Sequence, residues 1–66
     1  MATHERIDEE TPNGGAYSEI YYLDDKHNVV DSSIATHCVI REFTADGDLI
    51  CETWGFTENY YKKKKK

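Results

Sequence analysis

Two runs decide the fold. They are Thr36-His37-Cys38-Val39-Ile40-Arg41-Glu42-Phe43-Thr44 and Asp48-Leu49-Ile50-Cys51-Glu52-Thr53-Trp54-Gly55-Phe56, joined by Ala45-Asp46-Gly47. Both are rich in β-branched and aromatic side chains, which fit a pleated, half-buried surface. An Asp-Gly pair between such runs is a strong hairpin signal. Gly47 suits a turn position with positive φ, where a Cβ is penalised.

Upstream, Ala16 to Leu23 (AYSEIYYL) reads as a further strand. Leu23-Asp24-Asp25-Lys26-His27-Asn28-Val29-Val30 also aligns with Phe43-Thr44-Ala45-Asp46-Gly47-Asp48-Leu49-Ile50, twenty positions on. In each, an apolar residue enters a polar loop and two aliphatics leave it. This predicts a second hairpin, with strands near 17–23, 28–31, 36–44 and 48–56. Asp31-Ser32-Ser33 then forms a loop or one helical turn, because Asp and Ser supply N-cap oxygens. The expected fold is mainly β, a small antiparallel meander of three or four strands with disordered termini. The loop lengths resemble hairpins of the YD-type repeats in large bacterial surface toxins. That resemblance covers about ten residues per hairpin, and implies a turn type without any activity.

The pairing between the two deciding runs has two possible registers. A type I turn with a glycine bulge sets Thr44 opposite Asp48, Phe43 opposite Leu49, Arg41 opposite Cys51 and Val39 opposite Thr53. A two-residue loop instead sets Arg41 opposite Glu52 and Val39 opposite Trp54. A slip of one residue exchanges the faces, so the buried face stays open at this point. Neither register puts Cys38 opposite Cys51, which argues against a disulfide between them.

Residues 1–15 carry four acidic side chains, the sole proline and Gly14-Gly15, and are expected to be a disordered segment. Residues 58–66 are expected to be a disordered lysine-rich tail. The folded domain is then 16–57. At this size a chain buries only about 60% of its unfolded surface, and needs a brace or a partner copy. Ile20, Tyr22, Val39, Ile40, Phe43, Leu49, Ile50 and Trp54 lie on both faces of a sheet with no helix to cover them. The expectation is a homodimer, joined face to face or edge to edge in a continuous sheet, whose interface includes Ile40 and Trp54.

Composition narrows the function. Of 66 residues, 32% are charged and 38% hydrophobic, too apolar for full disorder and too polar for a membrane span. The formal charge is −5, yet Lys62 to Lys66 supply five of the eight basic residues. The remainder has three basic groups against thirteen acidic ones, so the folded domain is expected not to bind nucleic acid. The start of the chain has no apolar signal-like run, and the two cysteines suit reduced thiols, so the expected location is cytoplasmic.

No catalytic motif, metal site or cofactor site is expected. His37 and Cys38 are neighbours on a strand and point to opposite faces, so they do not converge on zinc. Glu42 with Glu52, and Asp46 with Asp48, are weak candidates for acid–base pairs, and Asp24, Asp25, Asn28 and Asp31 lack the glycine and terminal Glu of a calcium loop. The expected role is that of a small acidic, non-enzymatic interaction protein docking on a protein partner. Its size and charge resemble phage-encoded inhibitors of nucleases and defence complexes, in which carboxylates mimic phosphates. Expected contact residues are Asp24, Asp25, Asp46 and Asp48 at the loop tips, with Tyr21 and Trp54 as aromatic anchors.

Overall fold

The computed structural model describes residues 2–64. Four strands, β1 (His4–Ile7), β2 (Tyr17–Leu23), β3 (His37–Phe43) and β4 (Leu49–Phe56), precede a short helix, α1 (Glu58–Lys64). The strands form one antiparallel sheet in the order β1-β2-β3-β4, the expected meander.

The fourth strand is not where the repeat put it. Val29 makes only an isolated bridge to Leu23, and the chain then leaves the sheet. The place beside β2 goes instead to β1, where His4 faces Tyr21 and Ile7 faces Ser18. The 1–15 segment, expected outside the domain, thus supplies an edge strand. The 58–66 tail is likewise helical over Glu58–Lys64, while Lys65 and Lys66 lie outside the described residues.

The repeat does hold at the level of the turn. Thr44 N–H donates to Asp48 O and Gly47 N–H to Thr44 O, both at 2.9 Å. Twenty residues earlier, Asp24 N–H donates to Asn28 O and His27 N–H to Asp24 O, again at 2.9 Å. Gly47 has φ +92°, and His27, its counterpart, has φ +68°. The first turn is held by a side chain: Asp24 Oδ1 accepts from the N–H groups of Lys26 and Asn28 at 2.9 and 2.8 Å. These bonds hold the Asp24 carboxyl below the usual carboxylate range.

Each of the two candidate registers occupies part of the β3–β4 pair. Beside the turn, Phe43 faces Leu49; farther on, Arg41 faces Glu52 and Val39 faces Trp54. The change occurs between Glu42 and Phe43, with Glu42 facing Cys51, so Ile50 is the extra residue of a bulge. Its side chain approaches Gly15, where an added Cβ would lie 3.1 Å from Ile50 Cδ1 and 2.7 Å from Thr11 Oγ1.

Directly paired residues share a face, which defines two surfaces. One carries Ser18, Ile20, Tyr22, Cys38, Ile40, Glu42, Cys51 and Thr53, and the 11–15 turn folds over it. Glu42 is 6% exposed there and accepts from Asn13, through Nδ2 at 2.9 Å and the backbone N–H at 3.2 Å. Hydrogen bonds from Thr11 and Asn13 hold its carboxyl below the usual range. The other surface carries Tyr17, Tyr21, Leu23, His37, Val39, Phe43, Trp54 and Phe56. The buried apolar residues are Leu23, Ala35 and Val39, at 5%, 0% and 2% exposure. The 24–36 loop and α1 close this end: Asn59 Nδ2 donates to the carbonyls of Ser33 and Ala35 at 3.1 and 2.9 Å, and Thr57 Oγ1 donates to Ala35 O. Loops and a short helix therefore act as the second layer that the strand pattern lacked.

Candidate functional site

The aromatic face is built in rungs. Arg6, Glu19, Arg41 and Glu52 face one another across all four strands, an alternating-charge rung that β-sheet pairing favours. Arg41 Nε donates to Glu52 Oε2 at 2.8 Å, and this bond holds the Glu52 carboxyl below its usual range. Aromatic rungs flank the charges. His4 stacks on Tyr21 at 5.4 Å and Tyr17 on Phe43 at 5.2 Å, while the Arg6 guanidinium lies 4.0 Å above the Tyr17 ring.

Near the first turn the rings also touch one another, and an open recess lies along them. His27, His37, Trp54, Gly55 and Phe56 line a cavity of about 330 Å³. The His27 ring lies 5.4 Å from His37 and 5.2 Å from Trp54, and His37 lies 5.1 Å from Phe56. Tyr60 of α1 stacks behind Phe56 at 4.1 Å. Trp54 and Phe56 are still 51% and 49% exposed. His37 is oriented from behind: its Nδ1 is 2.8 Å from Thr36 Oγ1, and that hydroxyl donates to Asp25 Oδ1 at 2.6 Å.

The expected contact residues do not form one site. Asp24 and Asp25 sit in the turn after β2, and Asp46 and Asp48 in the turn after β3, at opposite ends of the sheet. Asp24 and Asp25 also build their turn through the hydrogen bonds above. Tyr21 is half-buried between His4 and Arg41, with its hydroxyl on Glu19 at 3.3 Å. Trp54 is exposed and faces the ring-lined recess, while Asp25, also exposed, lines a separate polar recess with Asp24, Lys26, Asn28, Ile34 and Thr36.

The two residues of the expected dimer interface are separated as well. Ile40 pairs with Thr53 and lines a groove of about 500 Å³ on the turn-covered face, beneath Glu9 and Pro12. Trp54 pairs with Val39 on the aromatic face. Since residues next in register alternate faces, no face-to-face contact can use both.

Catalytic pairings find no common ground either. Glu42 and Glu52 lie on opposite faces, held by Asn13 and Arg41. Cys38 and Cys51 are free thiols, and burial pushes the Cys38 thiol up, away from the reactive thiolate. Among the described residues, no group of three or more His, Cys, Asp or Glu side chains could hold a metal ion.

Sequence reasoning did not place His27, His37 or Phe56 among the contact residues. Two signals pointed to them: the i, i+2 spacing of Trp54 and Phe56 on one strand face, and the repeat that sets His27 at the position of Gly47. Comparison with protein-family models, curated proteins and solved structures finds no match.

Proposed function

We propose that this chain is a small, acidic, non-enzymatic protein-interaction module that self-pairs through β4 and presents the aromatic side chains beside it to a partner. The observation that carries this reading is the contrast between the two sheet edges. β1 is four residues long and places Glu5 and Arg6 on its edge. β4 is eight residues long with one charge, Glu52, and leaves Leu49, Ile50, Trp54 and Phe56 between 44% and 53% exposed. Short charged edges discourage pairing with another chain, whereas long apolar edges invite it.

The pairing has a preferred register. A two-fold axis perpendicular to the sheet matches each β4 residue with one of the same face. Centring it on Glu52 opposes two carboxylates, which is unfavourable. Centring it on Thr53 sets Glu52 opposite Trp54 of the second copy and removes that repulsion. The resulting homodimer is a continuous eight-stranded sheet. A reducing, cytoplasmic setting suits its free thiols.

Inhibition of a basic, nucleic-acid-handling partner is the more specific form of this reading, supported by the acid excess outside the lysine run. The body measures 43 × 19 × 18 Å, so such a partner engaging both acidic turns would have to follow its long axis.

Sedimentation at micromolar concentration tests the pairing. The expected mass is twice 7.6 kDa, falling to 7.6 kDa in Thr53→Lys, which places a charge at the two-fold axis. A wild-type monomer at those concentrations rejects the self-pairing reading.

A further inference from the structure

The recess beside β4 combines features that select one ligand chemistry. Its walls are rings from three separate elements: His27 from the first turn, His37 from β3, and Trp54 and Phe56 from β4. Carboxylates flank them. Glu52 Oε1 lies 3.4 Å from Trp54 Nε1, and Asp25 is joined to His37 through the Thr36 hydroxyl. A cation over the Trp54 and Phe56 faces is attracted by their quadrupoles, and the Asp25 carboxylate adds negative charge near by, whereas that of Glu52 is already paired with Arg41. A plain ammonium would bring three N–H donors into a ring-lined space, whereas a methylated one has no such need once quaternary.

One wall is held at a conformational cost. His27 is the sole described non-glycine residue with positive φ, at +68°. The equivalent position in the second turn, with the same backbone hydrogen bonds, is Gly47. Turn formation alone would favour glycine at both positions. What the histidine adds is the ring that meets His37 and Trp54. Strain retained in a binding recess is a recognised mark of function.

We propose that His27, His37, Trp54 and Phe56 form an aromatic cage for the trimethylated side chain of a lysine in a protein partner. The proposal rests on the interaction reading, and names the partner chemistry. Its test is separate from sedimentation, because a small probe reports on the recess whether or not β4 pairs.

The experiment is an NMR titration of the full chain with N-acetyl-trimethyl-lysine amide. Parallel titrations use its neutral carbon analogue, in which a tert-butyl group replaces the trimethylammonium, and choline. The trimethyl-lysine probe should shift the Trp54 indole N–H and the Gly55 amide saturably. The carbon analogue should need roughly tenfold more ligand, the scale of a desolvated cation–π contact. Phe56→Leu keeps apolar bulk against Tyr60 and should weaken binding several-fold. His27→Gly should weaken it too while leaving melting temperature unchanged or higher, since it relieves the positive φ. Equal binding of the carbon analogue would reduce the recess to an apolar slot and overturn the proposal. So would shifts from choline alone, which would indicate a lipid headgroup, an unaffected His27→Gly variant, or no saturable shift at all.

Discussion

Asn13 and Glu42, twenty-nine positions apart, meet through two hydrogen bonds on the turn-covered face of the sheet. This contact fastens the 11–15 turn over β3 and lets the N-terminal segment reach the far edge as β1. The carboxylate form accepts both donors, so the bond and the charge state are linked.

That linkage sets a pH dependence. Glu42 has its folded-state pKa lowered below the ordinary 4.5, so its contribution is fully present above that value. It is lost as the pH falls through the lower, folded-state value. Asp24, Asp31 and Glu52 are lowered too and act in the same direction. Melting temperature should therefore fall on acidification below about 4.5. Glu42→Gln should melt lower at neutral pH and show a flatter acid limb. An unchanged acid limb in that variant would remove Glu42 from the account.

Gly15 and Gly55 should respond differently to alanine. At Gly15 the new Cβ would lie 2.7 Å from Thr11 Oγ1 and 2.9 Å from the Phe43 carbonyl, a backbone atom that cannot swing away. The expected loss is about 1–3 kcal/mol in urea unfolding, the usual cost of forced overpacking. At Gly55 the nearest atom is Cys38 Sγ at 3.7 Å, ordinary contact, so Gly55→Ala should be near neutral.

Asn59→Ala removes the amide that donates to the carbonyls of Ser32, Ser33 and Ala35. The expected cost is about 1 kcal/mol, that of an ordinary hydrogen bond, since Ala35 O keeps the Thr57 hydroxyl as a donor. Hydrogen exchange should quicken in α1 and in residues 31–36 while the β2–β3 pairing keeps its protection.

Charge reversal should separate structural acids from surface ones. Asp24→Lys removes the acceptor of two backbone N–H groups and should lower the melting temperature. Asp46→Lys changes an exposed turn residue and should leave it nearly unchanged. If an acidic surface docks on a basic partner, Asp46→Lys should still weaken that binding, most strongly at low salt. Binding indifferent to both salt and Asp46→Lys would leave apolar contacts as its cause.

The amino-acid sequence by itself determined the β2–β3–β4 meander and the turn at Gly47. Those features come from short-range causes: β-branched and aromatic runs, and a glycine where positive φ is needed. Residues contributed by distant chain segments were decided only in three dimensions. β1 reads HERI, with no apolar alternation, and joins the sheet through backbone pairing and the stacking of His4 on Tyr21. α1 forms where Tyr60 can lie on Phe56 and Asn59 can reach the 32–35 carbonyls, partners that no local pattern reveals. The β3–β4 register depended on Ile50 bulging toward Gly15, so the faces of Ile40 and Trp54 were settled by tertiary packing. The recess followed the same rule: strand spacing aligns Trp54 with Phe56, but it is the fold of the 24–28 turn that brings His27 to them.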